Sequence, residues 1–227
     1  MNIAVILAGG TGTRMQSEMP KQFIEVDGKT IIEHSIDAFE QNDDIDRICV
    51  VMHPEYFGKM EDIIVRRGWL KLKDMVAGGN ERFLSSYNAV KYFAHQKDDN
   101  IILHDAARYK VSQKIINDVV KALSSFRTVT TAIPMTDTLL ELSDDKSSVY
   151  RYVNRDFFMR VQTPQGFKIS VIYEAFGKAL KDENFHATDD CSVVKKYLPD
   201  EIIHIVRGEE SNIKVTYKED IRQSQVM

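Results

Sequence analysis

The sequence predicts an α/β fold built on a doubly wound, mostly parallel sheet. Apolar runs of strand length recur along the 227 residues, amphipathic stretches of helix length separate them, and the first run leads straight into a glycine-rich loop. Continuous apolar runs suit strands covered on both faces, as in a parallel sheet flanked by helices.

Taken in order, the first strand is Ile3 to Leu7. A helix over Thr30 to Phe39 sets Ile31, Ile32, Ile36 and Phe39 towards one side, and Ile48 to Met52 is the second strand. Glu81 to Phe93 reads as a helix with Leu84, Tyr87, Val90 and Lys91 at helical spacing, Lys91 snorkelling past the apolar face. Asn100 to Leu103 is the next strand. Ser112 caps a helix to Leu123 carrying Ile115, Ile116, Val119 and Val120. Val129 to Ile133 and Ile202 to Val206 complete the strands. Between them, Pro134 to Tyr152 opens on a proline, holds the polar run Ser143 to Ser148 and ends in the β-prone Val149 to Val153, so it reads as a hairpin or arm projecting from the sheet. No repeat, low-complexity tract or linker divides the chain, and 1–227 reads as one domain with an excursion.

Composition narrows the function. Apolar residues make up 43%, enough for a sizeable core. The net charge of −4 gives no basic excess, so nucleic acid is not an expected partner. Two cysteines, Cys49 and Cys191, make neither a disulfide framework nor a four-cysteine zinc site and fit a reducing cytoplasm. No apolar run reaches membrane-spanning length, and the N-terminus lacks the basic start of a signal peptide, so a cytoplasmic location without membrane association is expected. His34, His53, His95, His186 and His204 are scattered without metal-ligand spacing.

The first strand runs into Leu7-Ala8-Gly9-Gly10-Thr11-Gly12-Thr13-Arg14-Met15. Such a loop lets the backbone approach a ligand closely and turns N–H groups inward as an anion nest. It is not a Walker A loop, since no Gly-Lys-Ser/Thr follows, and it is not G-x-G-x-x-G either. Arg14 and Lys21, the latter in Pro20-Lys21-Gln22-Phe23, can bracket a triphosphate and offset charge building on the α-phosphate and the departing pyrophosphate. The plainer alternative is a solvated Arg and Lys beside an ordinary glycine turn.

With this loop the sequence resembles the nucleotidyltransferases that carry G-x-G-x-R…P-K. Within them it is similar to the cytidylyltransferases acting on phosphorylated sugar alcohols, the 2-C-methyl-D-erythritol 4-phosphate and ribitol 5-phosphate cytidylyltransferases. Five further strings carry the resemblance: Gly78-Gly79-Asn80-Glu81-Arg82-Phe83-Leu84-Ser85, His104-Asp105-Ala106-Ala107-Arg108, Asp137-Thr138, Asn154-Arg155 with Gln162-Thr163-Pro164-Gln165-Gly166-Phe167, and Ser211-Asn212-Ile213-Lys214-Val215-Thr216.

The resemblance implies a Rossmann-like nucleotidyltransferase fold and transfer of CMP from CTP to a polyol phosphate. It implies that Ala8, Gly9, Gly10, Thr11, Gly12, Gly79, Asn80 and Ser85 bind the nucleotide and that Arg14, Lys21 and Lys214 act on the phosphates. Asp105, Ala106, Arg108, Thr138, Arg155 and Thr163 would meet the acceptor, and Asp105 would help bind Mg²⁺. It also implies a homodimer paired through the arm, 134–158, with acceptor-binding residues delivered across the interface. Taken alone, Asp105 could be a strand-end turn residue, Arg155 could pair with Asp156 or Asp137, and Thr138 and Thr163 could be plain strand threonines.

Tyr109, Asn80 and Asn154 depart from the family pattern. The first loop resembles the ribitol-phosphate branch, whereas His104 to Arg108 and Ala187 to Ser192 resemble the methylerythritol branch. The expected acceptor is 2-C-methyl-D-erythritol 4-phosphate, with ribitol 5-phosphate as the alternative. A transferase acting on sugar 1-phosphates would leave Gln162 to Phe167 and Asn212 to Thr216 accidental, and a nucleotide-binding scaffold that has lost the chemistry would not retain Arg14, Lys21, Asp105 and Lys214 together.

Overall fold

The computed structural model describes residues 1–10, 20–217 and 219–221; Thr11, Gly12 and Arg14 lie outside the described residues. Its elements are β1 (Asn2–Leu7), β2 (Glu25–Val26), β3 (Lys29–Thr30), α1 (Ile31–Glu40), β4 (Arg47–Met52), α2 (Phe57–Arg67), β5 (Leu72–Ala77), α3 (Arg82–Tyr92), β6 (Asn100–Asp105), α4 (Gln113–Leu123), β7 (Thr128–Pro134), β8 (Leu139–Leu142), β9 (Val149–Val153), β10 (Met159–Lys168), α5 (Ile169–Ala179), α6 (Asp190–Tyr197) and β11 (Ile203–Arg207).

Seven strands form the central sheet in the order β11-β7-β10-β6-β1-β4-β5. Every neighbouring pair is parallel except the two made by β10. The first strand shows why its apolar run is unbroken. Ala4 and Ile6 pack with residues of α1, α2 and α4 on one face, while Ile3, Val5 and Leu7 pack with α3, α5 and α6 on the other. A strand covered twice has no solvent side to mark with polar residues.

The chain leaves β1 for β4 and β5 on one side and returns to place β6 on the other. That reversal opens a crevice at the carboxyl ends of β1 and β6, where open α/β sheets bind ligands.

The expected helix starts hold. Thr30 and Glu33 make a capping box at α1, and the Ser112 hydroxyl accepts from the Ile115 N–H at 3.2 Å. Several elements differ from the sequence reading. The third expected strand runs on to Asp105 and the last shifts one residue, to Ile203–Arg207. Strand β5 was hidden because Lys73 and Asp74 interrupt its apolar pattern; Asp74 is buried and accepts from Arg47 Nη2 at 2.8 Å. Strand β10 was hidden because Gln162-Thr163-Pro164-Gln165 carries no apolar side chain of strand type. Lys91 is exposed, and the buried face of α3 is Ser85, Ser86, Ala89 and Val90.

The excursion is a hairpin of β8 and β9 outside the main sheet. Its face and base hold Tyr150, Tyr152 and Phe157, which are 68%, 70% and 84% exposed. Cys49 and Cys191 are buried free thiols. No helix among the described residues is long and apolar enough to cross a membrane.

Trp69 belongs to the core, and its indole N–H donates to Asp37 at 2.8 Å. Lys29 and Arg67 donate to the same carboxylate at 2.7 and 2.6 Å. Burial raises the Asp37 pKa, but these donors outweigh it and hold the group below its ordinary value. An acid with a depressed pKa stabilises the fold at neutral pH, and this contribution disappears as pH falls below about 4. Asp37→Ala is expected to cost about 1–3 kcal/mol at pH 7, since it strands buried donors. Urea melts at pH 7 and pH 3.5 check this: the gap between variant and wild type should shrink at the lower pH.

Candidate active site

Two cavities meet in the crevice. The smaller, about 520 Å³, lies over the ends of β1 and β5 and is lined by Ala8, Gly9, Gly10, Lys21, Gly79, Asn80 and Ser85, among others. The larger, about 790 Å³, lies over the ends of β6 and β10 and includes Arg108, Gln162, Thr163, Gln165 and Lys195. Arg82, Asp105 and Lys214 line both.

The smaller cavity is a slot made by the absence of side chains. A Cβ on Gly9 would sit 2.8 Å from Ser85 Oγ, and one on Gly79 would sit 2.3 Å from Leu84 Cβ. The Ser85 hydroxyl accepts from the Gly79 N–H at 3.1 Å and donates to the Glu81 carbonyl at 3.3 Å. Ser85 thus shapes the glycine turn rather than offering a free donor. Ala8 is fixed from both sides: its N–H donates to the Val51 carbonyl at 2.7 Å, and its carbonyl accepts from Gln22 at 2.9 Å.

Asp105 ends β6. Its carboxylate accepts from Arg82 Nε at 2.9 Å and from Lys214 Nζ at 2.7 Å. Arg82 donates through Nη1 to Asp190 at 2.8 Å. Burial raises the Asp105 pKa, but Arg82, Lys214 and Arg108 together hold it well below the usual carboxylate range. Burial works against the Arg82 charge in turn, and Asp190 and Asp105 more than compensate, raising its pKa. Arg82 Nη2 and Arg108 Nε are buried donors with no acceptor among the described residues. Both therefore remain able to take up anionic oxygens.

The segment carrying Lys214 is tied down at each end. Arg108 Nη1 donates to the Asn212 carbonyl at 2.7 Å, and the Val215 N–H donates to the Ala107 carbonyl at 2.9 Å. Lys21 Nζ donates to the Val215 carbonyl at 3.0 Å, so both lysines are anchored on one short stretch.

Most of the expected site residues that are described converge here: Ala8, Gly9, Gly10, Lys21, Gly79, Asn80, Ser85, Asp105, Ala106, Arg108, Thr163 and Lys214. Thr138 and Arg155 do not. Both are exposed at the base of the hairpin, and Arg155 donates to the Thr136 carbonyl rather than to Asp156 or Asp137. Lys195 and Lys196 are exposed on α6, as a solvated helix face would be, and stand at the rim of the larger cavity. The Arg82–Asp190 pair was missed. Its members lie 108 positions apart, and no local spacing announces such a contact. Among the described residues no three His, Cys, Asp or Glu side chains group as a metal site.

The whole chain matches one family. Residues 2–227 fit the family described as 2-C-methyl-D-erythritol 4-phosphate cytidylyltransferase. The chain belongs to this family. The enzyme of that name from Thermobifida fusca is 39% identical over 99% of this chain and 92% of its own length. The one from Bifidobacterium longum subsp. infantis is 41% identical over 96% of this chain and 77% of its own. A bifunctional ribulose 5-phosphate reductase/CDP-ribitol pyrophosphorylase from Haemophilus influenzae is 34% identical over 97% of this chain and 46% of its own. Among solved structures, the 4-diphosphocytidyl-2C-methyl-D-erythritol synthase of Anaerococcus prevotii superposes with a TM-score of 0.88 at 31% identity, covering 100% of this chain and 95% of that one. The expected α/β fold and the expected cytidylyltransferase family both stand.

Within this cytidylyltransferase, His104 is fully buried, and burial depresses its pKa to about 4 against the partly offsetting pull of Asp105. A histidine ordinarily titrates near 6.5, so the unfolded chain binds the extra proton first. Stability should therefore fall as pH drops from about 6.5 towards 4. Thermal melts at pH 7 and pH 5 should show this slope, and His104→Gln should flatten it. An unchanged slope in the variant would exclude His104 as its source.

Proposed function

We propose that this chain, acting as a single nucleotidyltransferase domain over 1–227, transfers CMP from CTP to 2-C-methyl-D-erythritol 4-phosphate and releases pyrophosphate. CTP occupies the glycine slot and the acceptor occupies the larger cavity. One observation carries the assignment: the two cavities share Arg82, Asp105 and Lys214, so two bound substrates meet at a cationic junction.

An acceptor phosphate oxygen attacks the α-phosphorus in line. The new O–P bond forms as the bond to pyrophosphate breaks. A phosphate monoester is already anionic near neutral pH, so the step needs no strong base. Its obstacle is repulsion between two polyanions, and catalysis is positioning plus charge neutralisation. Lys21 and Lys214 hold the phosphates, together with Arg14 of the first loop. Arg108, and Arg82 through an Nη2 that has no acceptor among the described residues, line the larger cavity on the acceptor side.

A divalent cation such as Mg²⁺ suits this donor set. One carboxylate, Asp105, with both oxygens keeping a lone pair beyond their cation contacts, matches an ion held mainly by nucleotide phosphates and water. When bound, the ion would neutralise phosphate charge.

The chain acts as a homodimer, in which the arm, 134–158, supplies Thr138 and Arg155 to the partner's cavity. The exposed Tyr150, Tyr152 and Phe157 support this, since such a patch is costly in water. Buried free cysteines and the lack of a spanning helix among the described residues agree with a cytoplasmic location.

Pyrophosphate release with CTP and Mg²⁺ should be fastest with 2-C-methyl-D-erythritol 4-phosphate. The Haemophilus relative makes ribitol 5-phosphate the second acceptor to run, and preference for it would replace the first assignment. Lys21→Ala should lower turnover on the order of 10²-fold or more, the scale of a lost transition-state contact. Near-wild-type turnover would remove Lys21 from the chemistry. Light scattering at micromolar concentration should give twice the 26.1 kDa chain mass. Tyr152→Glu with Phe157→Glu should give monomers with weakened acceptor binding.

A further inference from the structure

Resting on the proposed transfer reaction, we infer that His104 and Thr163 are positioning residues that set the place of Asp105, and that the Thr163 hydroxyl has no proton to donate to the acceptor's phosphate. The reason lies in how the sheet ends. Strand β10 pairs antiparallel with β6 from Lys168 opposite Asn100 to Gln165 opposite Leu103, and there the ladder stops. The next residue of β10 is Pro164, which has no N–H to give. On its other side β6 stays paired with β1 as far as Asp105 opposite Leu7, and the Ala106 N–H donates to the Leu7 carbonyl at 3.0 Å. The Asp105 N–H therefore faces the side on which the ladder has run out. A buried backbone donor left unpaired there would be costly.

The Thr163 hydroxyl fills that place. It accepts from the Asp105 N–H at 3.1 Å and lies 3.1 Å from His104 Nδ1. His104 Nε2 lies 3.2 Å from the Arg108 carbonyl. A carbonyl can only accept, so Nε2 carries the proton and Nδ1 is the acceptor. The direction of every bond follows: Asp105 N–H to Thr163 Oγ1, Thr163 O–H to His104 Nδ1, His104 Nε2–H to the Arg108 carbonyl. The chain starts at one site residue and ends at another. Its only hydroxyl proton is spent on an imidazole that is 0% exposed and packed against Phe39, with ring centroids 5.1 Å apart and planes tilted by 56°. Thr163 thus has no donor to offer a phosphate.

The test is steady-state pyrophosphate release with full-length protein, CTP, Mg²⁺ and the better polyol phosphate. Thr163→Val keeps the shape and removes the hydroxyl. It is expected to lower kcat by about 10- to 100-fold, the scale of a site group displaced by up to an ångström, with the acceptor KM changed less than about threefold. Thr163→Ser should recover most of the loss. His104→Phe should lower kcat similarly, and the double variant should be no worse than the poorer single one, because both break one chain. Should Thr163→Val not fold, His104→Asn is the second variant: it keeps an acceptor near the Nδ1 position and should lose less than His104→Phe. A rise in acceptor KM at constant kcat, or multiplying losses in the double variant, would overturn the inference and return Thr163 to the acceptor. Full activity of Thr163→Val would overturn it outright. Failure of the wild type with both polyol phosphates would instead strike the proposed reaction, and the two failures are distinct.

Discussion

The site is organised around a buried carboxylate that cations must hold. Asp105 stands at the end of β6, where the sheet reverses direction and both cavities open. Ionised and out of water, it is tolerable only when paired. Arg82 and Lys214 supply the pairing from segments more than 20 and more than 100 residues away, and the same two cations line both cavities. Reciprocally, Asp105 keeps those cations assembled. Concentrating Arg82, Arg108, Lys21 and Lys214 in one crevice would be self-repelling without Asp105 and Asp190 among them. The carboxylates thus preorganise a cationic junction inside a chain whose net charge is −4.

The string Gln162-Thr163-Pro164-Gln165 shows how a short motif can tie distant segments. Gln162 donates to the Glu209 carbonyl at 2.8 Å and accepts from Asn212, fixing the stretch that leads to Lys214. Thr163 takes the free N–H of Asp105. Gln165 donates to Asp189 at 2.6 Å and accepts from the Cys191 N–H at 3.2 Å, fixing the start of α6 so that Asp190 reaches Arg82. Apolar residues could make none of these bonds, so a strand next to β6, normally the place for valines and isoleucines, is polar at its site end.

That substitution explains how much could be read from the sequence. Where packing alone decides, as in β1 with Ile3 to Leu7 or α4 with Ile115, Ile116 and Val119, periodicity locates the element. Gly9 and Gly10 after β1, Asp105 at the end of β6 and Lys21 in its short motif could be singled out locally, and all four line the crevice. Strand β10 was not, because its residues are chosen for long-range hydrogen bonds rather than for burial. Arg82 with Asp190, and His104 with Thr163, were illegible for the same reason: the partners lie 108 and 59 positions apart, and a pairwise contact leaves no period. Thr138 and Arg155 are a different case. The motif that marks them is plain, but within one chain their positions at the base of the hairpin are exposed and away from the crevice.

The polar network also bears on how the two lysines are placed. Lys21 and Lys214 would each lose substantial side-chain entropy on gripping a phosphate from a freely rotating start. Here Lys21 already rests on the Val215 carbonyl and Lys214 on Asp105. Under the proposed reaction the ordering cost would be met when the chain folds rather than when the substrates arrive, leaving more of the interaction energy for the transition state. It also sets a trade-off. In the proposed reaction Lys214 would share or release Asp105 to reach a phosphate, so the strength of that ion pair would set how far the lysine's charge is available. Under the proposed reaction a tighter pair would trade grip on the phosphates for stability of the free protein. Arg82 Nη2 and Arg108 Nε, which have no acceptor among the described residues, lie on the other side of that balance: their side chains are held in place by their remaining bonds.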